Sequence, residues 1–271
     1  MDAKRPQAEQ GGISKPFGES LVHAVLLLER SIMQRIIGET APIDKCSSDV
    51  KEACYRLLSH CFLGVTREDF DKDFHEKEAV ILLRQADSGK IVGFSTLMTI
   101  ALPLANADSI AVFSGDTAVL PEYRSSFGMG IEIAKYFLKV RERCPNTLVF
   151  YVLISKGWRT YKVLPFFFRD FYPNPQGTTA SLEKEVADAF GMAKYPANYL
   201  PDLSLIRFSQ EGQRLRPGSI DVSPHQGDPF ISFFLQANPD YLRGDELVCV
   251  ASIEPGNFTS QLNRLMGSIG K

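Results

Sequence analysis

The chain has 271 residues, of which 44% are hydrophobic and 23% charged, the balance of a soluble globular protein able to bury a sizeable core. Its 30 Lys and Arg against 32 Asp and Glu leave a net charge of −2, which removes the electrostatic case for a nucleic-acid partner. Five cysteines (Cys46, Cys54, Cys61, Cys144, Cys249) contain no CxxC pair, and the four histidines (His23, His60, His75, His225) form no HExxH cluster, so no metal site is expected.

Residues 1–16 are polar, with Gly11-Gly12 and two prolines, and are expected to be a disordered tail. Leu21, Val25, Leu28, Ile32 and Ile36 recur at helical spacing, which predicts a helix over 19–37 stopped by Gly38. The apolar run Leu21–Leu28 is closed by Glu29 and Arg30 and is too short to span a bilayer. No small-residue cleavage site follows it, so the expectation is a cytoplasmic protein without stable membrane insertion. A further helix is expected over 49–62, and its Cys54 and Cys61 read as small buried hydrophobes in a reducing compartment. A short acidic helix or loop follows from Arg67 to Phe74.

Glu78–Arg84 and Ile91–Ile100 flank Asp87-Ser-Gly-Lys90, the chemistry of a β-hairpin turn. A strand over 108–119, a helix over 128–143 ended by Cys144-Pro145, and the apolar strand Thr147–Ile154 make a strand–helix–strand crossover. After it, Pro165 and a crowd of aromatics suggest a short helix near 157–163 and a second helical turn up to Tyr172. Helices over 180–192 and 229–237, strands over 203–208 and 246–253, and a terminal helix near 256–268 complete the order. The fold class is therefore mixed α/β, a central mixed sheet flanked by helices. One domain is expected over 17–200, with a C-terminal extension over 201–271 packed on it. The charged segment Asn238–Cys249, with Arg243, Asp245 and Glu246, reads as a solvated turn leading into the last strand, and those charges as partners for one another or for an acceptor.

The stretch Asp116-Thr-Ala-Val-Leu-Pro-Glu-Tyr-Arg-Ser-Ser-Phe-Gly-Met-Gly-Ile131 holds the chemistry. A strand end, a glycine-bearing loop and a helix start put backbone N–H groups at a positive helix terminus, a place for an anion such as a pyrophosphate. The alternative is a turn that needs glycine only for packing. The order V-x-P-x-Y-R … G-x-G resembles the acyl-CoA-binding motif of the GNAT superfamily of N-acetyltransferases, and the resemblance covers about 50–171. It implies acetyl-CoA or another acyl-CoA as donor. Gly128 and Gly130 would let the backbone reach the phosphates, with N–H groups from Phe127, Met129 and Ile131. Val119 would pair through its backbone with the pantetheine arm. Arg124 stands one residue early relative to the family's cation, and Ser125 and Ser126 would bond phosphate oxygens in its place.

The resemblance further implies a base on the strand that Asp116 occupies and a thiolate-protonating tyrosine where Tyr161 falls. Asp116 reads equally as a bulge or turn residue, because Ser-Gly-Asp-Thr permits one. Tyr161 reads also as a packing tyrosine among aromatics. Ser155 would bond the pantetheine amide, while Trp158 and Arg159 would line the groove, with Arg159 meeting a phosphate. The expected activity is acyl transfer to a primary amine by direct attack. Two rivals stand: a long-chain acyltransferase fed by acyl-CoA or an acyl-carrier protein, its chain held among Phe166–Phe168, Phe171 and Tyr172, and a GNAT-like module that only binds a ligand or partner.

Overall fold

The computed structural model describes residues 36–105, 107–177, 181–208, 212–220 and 227–269. An eight-stranded sheet runs through it. Its strands are β1 (Ile36–Pro42), β3 (Ala79–Gln85), β4 (Ile91–Pro103), β5 (Asp108–Val119), β6 (Leu148–Ser155), β7 (Tyr199–Leu200), β8 (Leu205–Ile206) and β10 (Glu246–Ser252). Their spatial order is β1-β3-β4-β5-β6-β10-β8-β7. All neighbours are antiparallel except β5 and β6, which are parallel. A separate two-stranded ribbon joins β2 (Phe62–Leu63) to β9 (Arg214–Leu215).

Strand alternation sends apolar side chains to both faces, and helices cover each face. On one face Ile81, Leu83, Val112, Tyr151, Leu153 and Cys249 meet α3 (Gly128–Arg143), α4 (Trp158–Tyr161), α5 (Val163–Phe167), α7 (Pro229–Ala237) and α8 (Ser260–Ile269). On the other face α1 (Ser48–Cys61) and α2 (Arg67–Glu76) cover Val80, Leu82, Phe94 and Ala118. Farther along that face, α6 (Ser181–Lys194) covers Phe113, Phe150, Val152, Val248 and Val250. Each large apolar side chain buried this way contributes about 1.5–3 kcal/mol.

Local chemistry sets the helix starts. Ser47 Oγ accepts from the Val50 amide at 3.3 Å, and Thr66 Oγ1 from the Asp69 amide at 3.1 Å. Asp228 Oδ1 accepts from the Phe230 and Ile231 amides, behind Pro229 in the first turn of α7. Helix α3 differs: Phe127 precedes it and no side chain caps its first turn.

Four expectations change. The helix placed over 19–37 lies outside the described residues up to Arg35, and its last two, Ile36 and Ile37, open the edge strand β1. The helical turn expected up to Tyr172 stops at Phe167; beyond it the chain is extended, and Phe168 and Tyr172 bridge to Phe258 and Val250. The strand over 203–208 shortens to Leu205–Ile206, because Leu203 closes a 3-10 turn and Ser204 takes a φ of 51°. Asp245 and Glu246 do not lie in a solvated turn: both are buried, Asp245 against Arg207 and Glu246 against Lys156.

Candidate active site

Strand β5 pairs with β6 from Ser109–Leu148 to Ser114–Leu153, and no further. It then runs on to Val119 beside β4 alone, so the parallel strands part at this point. The β4–β5 register also shifts here. Leu97 faces Ser114 while Ser95 faces Thr117, so Gly115 and Asp116 together oppose the single residue Thr96. Such a β-bulge re-aims the side chains it contains. Glycine is required at the first of the two positions, since a Cβ on Gly115 would stand 2.6 Å from both Lys77 Cε and Thr96 Oγ1. The bulge and catalytic readings of Asp116 therefore do not compete, because the bulge is what aims the carboxylate.

Asp116 sits among charges drawn from several elements. The Gln213 carboxamide donates to Asp116 Oδ1 at 3.2 Å. Lys77 has a fully buried side chain, and its ammonium holds Asp73 Oδ1 at 2.5 Å and lies 5.8 Å from the Phe113 ring centre. Lys156, just past β6, pairs with Glu246 of β10 at 3.0 Å and lies over Phe62. Asp116 is half-buried by accessible surface, and the desolvation of its carboxyl pushes it up to about 6; Asp73 adds to the rise, and Lys156, Gln213 and Lys77 oppose it. Burial likewise raises Glu246, with Lys156 opposing. Burial and the carboxylates of Glu246, Asp73, Asp116 and Glu76 hold the Tyr195 phenol well above its ordinary range. The Thr96 hydroxyl, facing the bulge, is buried without a hydrogen-bond partner.

The anion-loop residues stand together at the start of α3. The first bond of the helix runs from the Ile131 amide to the Phe127 carbonyl at 2.9 Å, so Ile131 spends its N–H inside the ladder. The N–H groups of Gly128, Met129 and Gly130 precede that bond. Ser125 is exposed, and Ser126 Oγ is buried without a hydrogen-bond partner. Both glycines also have packing reasons. A Cβ on Gly130 would meet Phe167 Cζ at 2.8 Å, and one on Gly128 would meet Leu83 Cδ2 at 3.1 Å. Arg124 turns back and donates through Nε to the Val119 carbonyl at 3.1 Å. The Val119 backbone is thus partly engaged by the chain itself.

The remaining expected residues lie elsewhere. Ser155 is fully buried and paired with Leu247, and its hydroxyl accepts from the Cys249 thiol at 3.7 Å. Arg159 stacks over Trp158 and donates to the Ser219 carbonyl at 3.1 Å. Tyr161 is fully buried against Phe171, Phe233 and Phe234, and its hydroxyl donates to the Pro173 carbonyl at 2.8 Å. Burial pushes its phenol far above the ordinary range. This placement is that of a packing tyrosine with its proton committed. Phe167, Phe168 and Phe171 are buried core, whereas Phe166 is 39% exposed.

Lys77, Lys156, Gln213, Glu246 and Tyr195 were not singled out as companions of Asp116. The readable signal was Gly115, a glycine inside a strand, which marks a bulge or a close approach. Among the described residues no cluster of three or more metal-binding side chains occurs, and no helix is long and apolar enough to cross a membrane.

No family model and no curated protein matches the chain. Solved structures do. The chain is similar to a protein of unknown function from Enterococcus faecalis V583 described as a probable N-acyltransferase, at 11% identity and a TM-score of 0.37, over 49% of this chain and 33% of that one. It is similar to glucosamine-6-phosphate N-acetyltransferase from Arabidopsis thaliana, at 19% identity and a TM-score of 0.34, over 48% and 89% of the two chains. It is also similar to Saccharomyces cerevisiae N-myristoyltransferase with bound myristoyl-CoA, at 18% identity and a TM-score of 0.33, over 42% and 30%. The chain thus spans about a third of the Enterococcus and yeast proteins.

Proposed function

We propose that this chain is an N-acyltransferase that takes an acyl group from an acyl-CoA and passes it to a primary amine. The observation that carries the reading is Asp116, set in a β-bulge just beyond the point where two parallel strands part, its carboxylate accepting from Gln213 and pushed up to about 6. A base with a pKa near the working pH is suited to accept a proton from an ammonium. The V-x-P-x-Y-R … G-x-G order supports the donor half. It leads from the same strand into the uncapped first turn of α3, where the N–H groups of Gly128, Met129 and Gly130 and the hydroxyl of the exposed Ser125 would receive phosphate oxygens.

The reaction is direct attack in a ternary complex. Asp116 takes a proton from the bound ammonium, freeing the nitrogen lone pair. That lone pair attacks the thioester carbonyl carbon, a C–N bond forms, and the C–S bond breaks. The nitrogen, cationic once the C–N bond forms, loses its second proton to solvent, and the departing thiolate takes up one proton from solvent, since the Tyr161 hydroxyl is committed to Pro173. Asp116 sits about 10 Å along the strand from Val119, a distance a pantetheine arm covers.

Titration calorimetry with acetyl-CoA and then a long-chain acyl-CoA tests the reading. Glutamates at Gly128 or Gly130 would confuse it, because their Cβ atoms would strike Leu83 or Phe167. The exposed Ser125 offers a cleaner variant. Ser125→Glu is expected to weaken acetyl-CoA binding at least tenfold without a loss of fold. Preference for the long chain would move the reading to a lipid-type acyltransferase. Binding of neither would overturn it in favour of an acyl-carrier donor or a non-catalytic module.

A further inference from the structure

Residues 212–220 form a strap that runs from Asp116 of β5 past Phe62 and Leu63 to Gly157, just beyond β6, and is tied down at several points. Arg214 and Leu215 pair with Leu63 and Phe62. Arg216 donates to the Ser59 and His60 carbonyls at 2.7 and 2.8 Å, closing the end of α1. The Ser219 carbonyl receives Arg159, and Ile220 lies so near Gly157 that a Cβ there would stand 2.4 Å from it. At the other end Gly244, at a φ of 107°, lets the backbone pass close to Gln213: a Cβ on Gly244 would be 3.2 Å from the Gln213 carbonyl. These ties deliver Gln213 to one place, the Asp116 carboxylate.

The contact has a specific chemical form. A nitrogen bearing hydrogens donates to Asp116 Oδ1 at 3.2 Å, within the reach that an acceptor amine must have to hand its proton to this carboxylate. The carboxamide nitrogen is not itself a nucleophile, because its lone pair is delocalised into the carbonyl. It occupies the amine's station without being able to react there.

We propose that Gln213 is a specificity-determining residue that holds the acceptor-amine position on Asp116 until an incoming ammonium displaces it. The inference rests on the acyltransferase reading for its meaning and on the Gln213–Asp116 contact for its geometry. The exchange selects for cationic amines. A neutral donor gains little by replacing one neutral N–H on the carboxylate with another, whereas an ammonium adds the attraction of an opposite charge to the same bond. Lys77 and Lys156 also flank the position, and each is already paired with a carboxylate of its own, Asp73 and Glu246. The displaced carboxamide turns its oxygen toward the guest as a second acceptor.

The test is an NMR titration of the full-length protein carrying 13C-carboxyl aspartate, with the Asp116 signal assigned by its loss in Asp116→Asn. Propylammonium chloride is the probe. It is titrated at pH 7 into the wild type, Gln213→Leu, which keeps bulk and removes the donor, and Gln213→Asn, which keeps the amide but shortens the reach. The Asp116 signal is expected to shift in all three. The apparent Kd should fall at least threefold in Gln213→Leu, and Gln213→Asn should fall between that variant and the wild type. Equal Kd values in all three proteins would overturn the proposal, as would an Asp116 signal that propylammonium never moves. Calorimetry with acetyl-CoA on the same samples is read separately. Failure there alone would remove the donor assignment and leave the amine competition standing.

Discussion

The Asp116 carboxyl, ordinarily titrating at 3.8, is pushed up to about 6, chiefly by burial. The folded chain therefore binds this proton more tightly than the unfolded chain does. Between about pH 3.8 and about pH 6 the folded state holds the excess proton, so stability falls as pH rises through that window and stays reduced above it. One pKa unit corresponds to about 1.4 kcal/mol, and partial access of water reduces the total to about 1–2 kcal/mol. Asp116→Asn should remove this cost. Urea unfolding is expected to show the variant about 1–2 kcal/mol more stable than the wild type at pH 8 and near parity at pH 4. A variant less stable at pH 8 would contradict the burial argument. For activity the sign reverses, because the same group must lose its proton to act. Turnover with acetyl-CoA and an amine should rise through pH 6 and fall about 10²–10⁴-fold in Asp116→Asn, with the acid limb gone. Asp116 and Gly115 were readable because Ser-Gly-Asp-Thr interrupts an apolar strand. Gln213 was not, because it is 97 residues away in sequence and only the pairing of β2 with β9 brings it near.

Elements with strong periodicity were legible to within a residue or two: β5, α3 and α7 occupy the spans their patterns predict. Two strands show where pattern alone fails. In β1 the residues Ile36-Ile-Gly-Glu-Thr-Ala-Pro42 follow directly on a helically spaced stretch, and the edge position leaves them half-exposed, so no buried run announces a strand. Strand β10 was visible as a strand, but its place was not. It lies against β6 and ahead of β8 and β7, inside the sheet, although it comes from the last thirty residues. Leu247, Val248, Cys249, Val250 and Ala251 are each no more than 1% exposed. The C-terminal region therefore completes the core. A chain cut after Leu200 would lose β8, β10, α7 and α8 together, exposing one edge of β6 and the apolar surface of Tyr151, Leu153 and Tyr161. It is expected to give a collapsed 1H–15N spectrum and to bind a hydrophobic dye, whereas a dispersed native-like spectrum would show that the extension is dispensable.

At the scale of the whole molecule, charged pairs join neighbouring elements within each layer. Glu76 ends α2 and Lys77, just after it, pairs back to Asp73; Lys194 of α6 reaches Glu76, and Lys156 joins β6 to β10 through Glu246. The Lys156 and Glu246 side chains are 10% and 9% exposed, so neither charge is compensated by water if the other is lost. A buried pair of this kind adds little over an apolar pair of the same volume, yet losing one partner leaves a bare charge that costs about 3–5 kcal/mol. Lys156→Met should therefore destabilise the protein by about 3 kcal/mol, and it also removes the cation that opposes the Asp116 rise. The double change Lys156→Met with Glu246→Leu should regain most of that loss in urea unfolding, while the Asp116 carboxyl, followed by 13C NMR, stays above its wild-type midpoint. Recovered stability with an unrecovered Asp116 titration would separate the two roles of this pair, since packing is restored by any apolar filler but the electrostatic field at the bulge requires the ammonium. Recovery of both would show that Lys156 acts on Asp116 only through the fold.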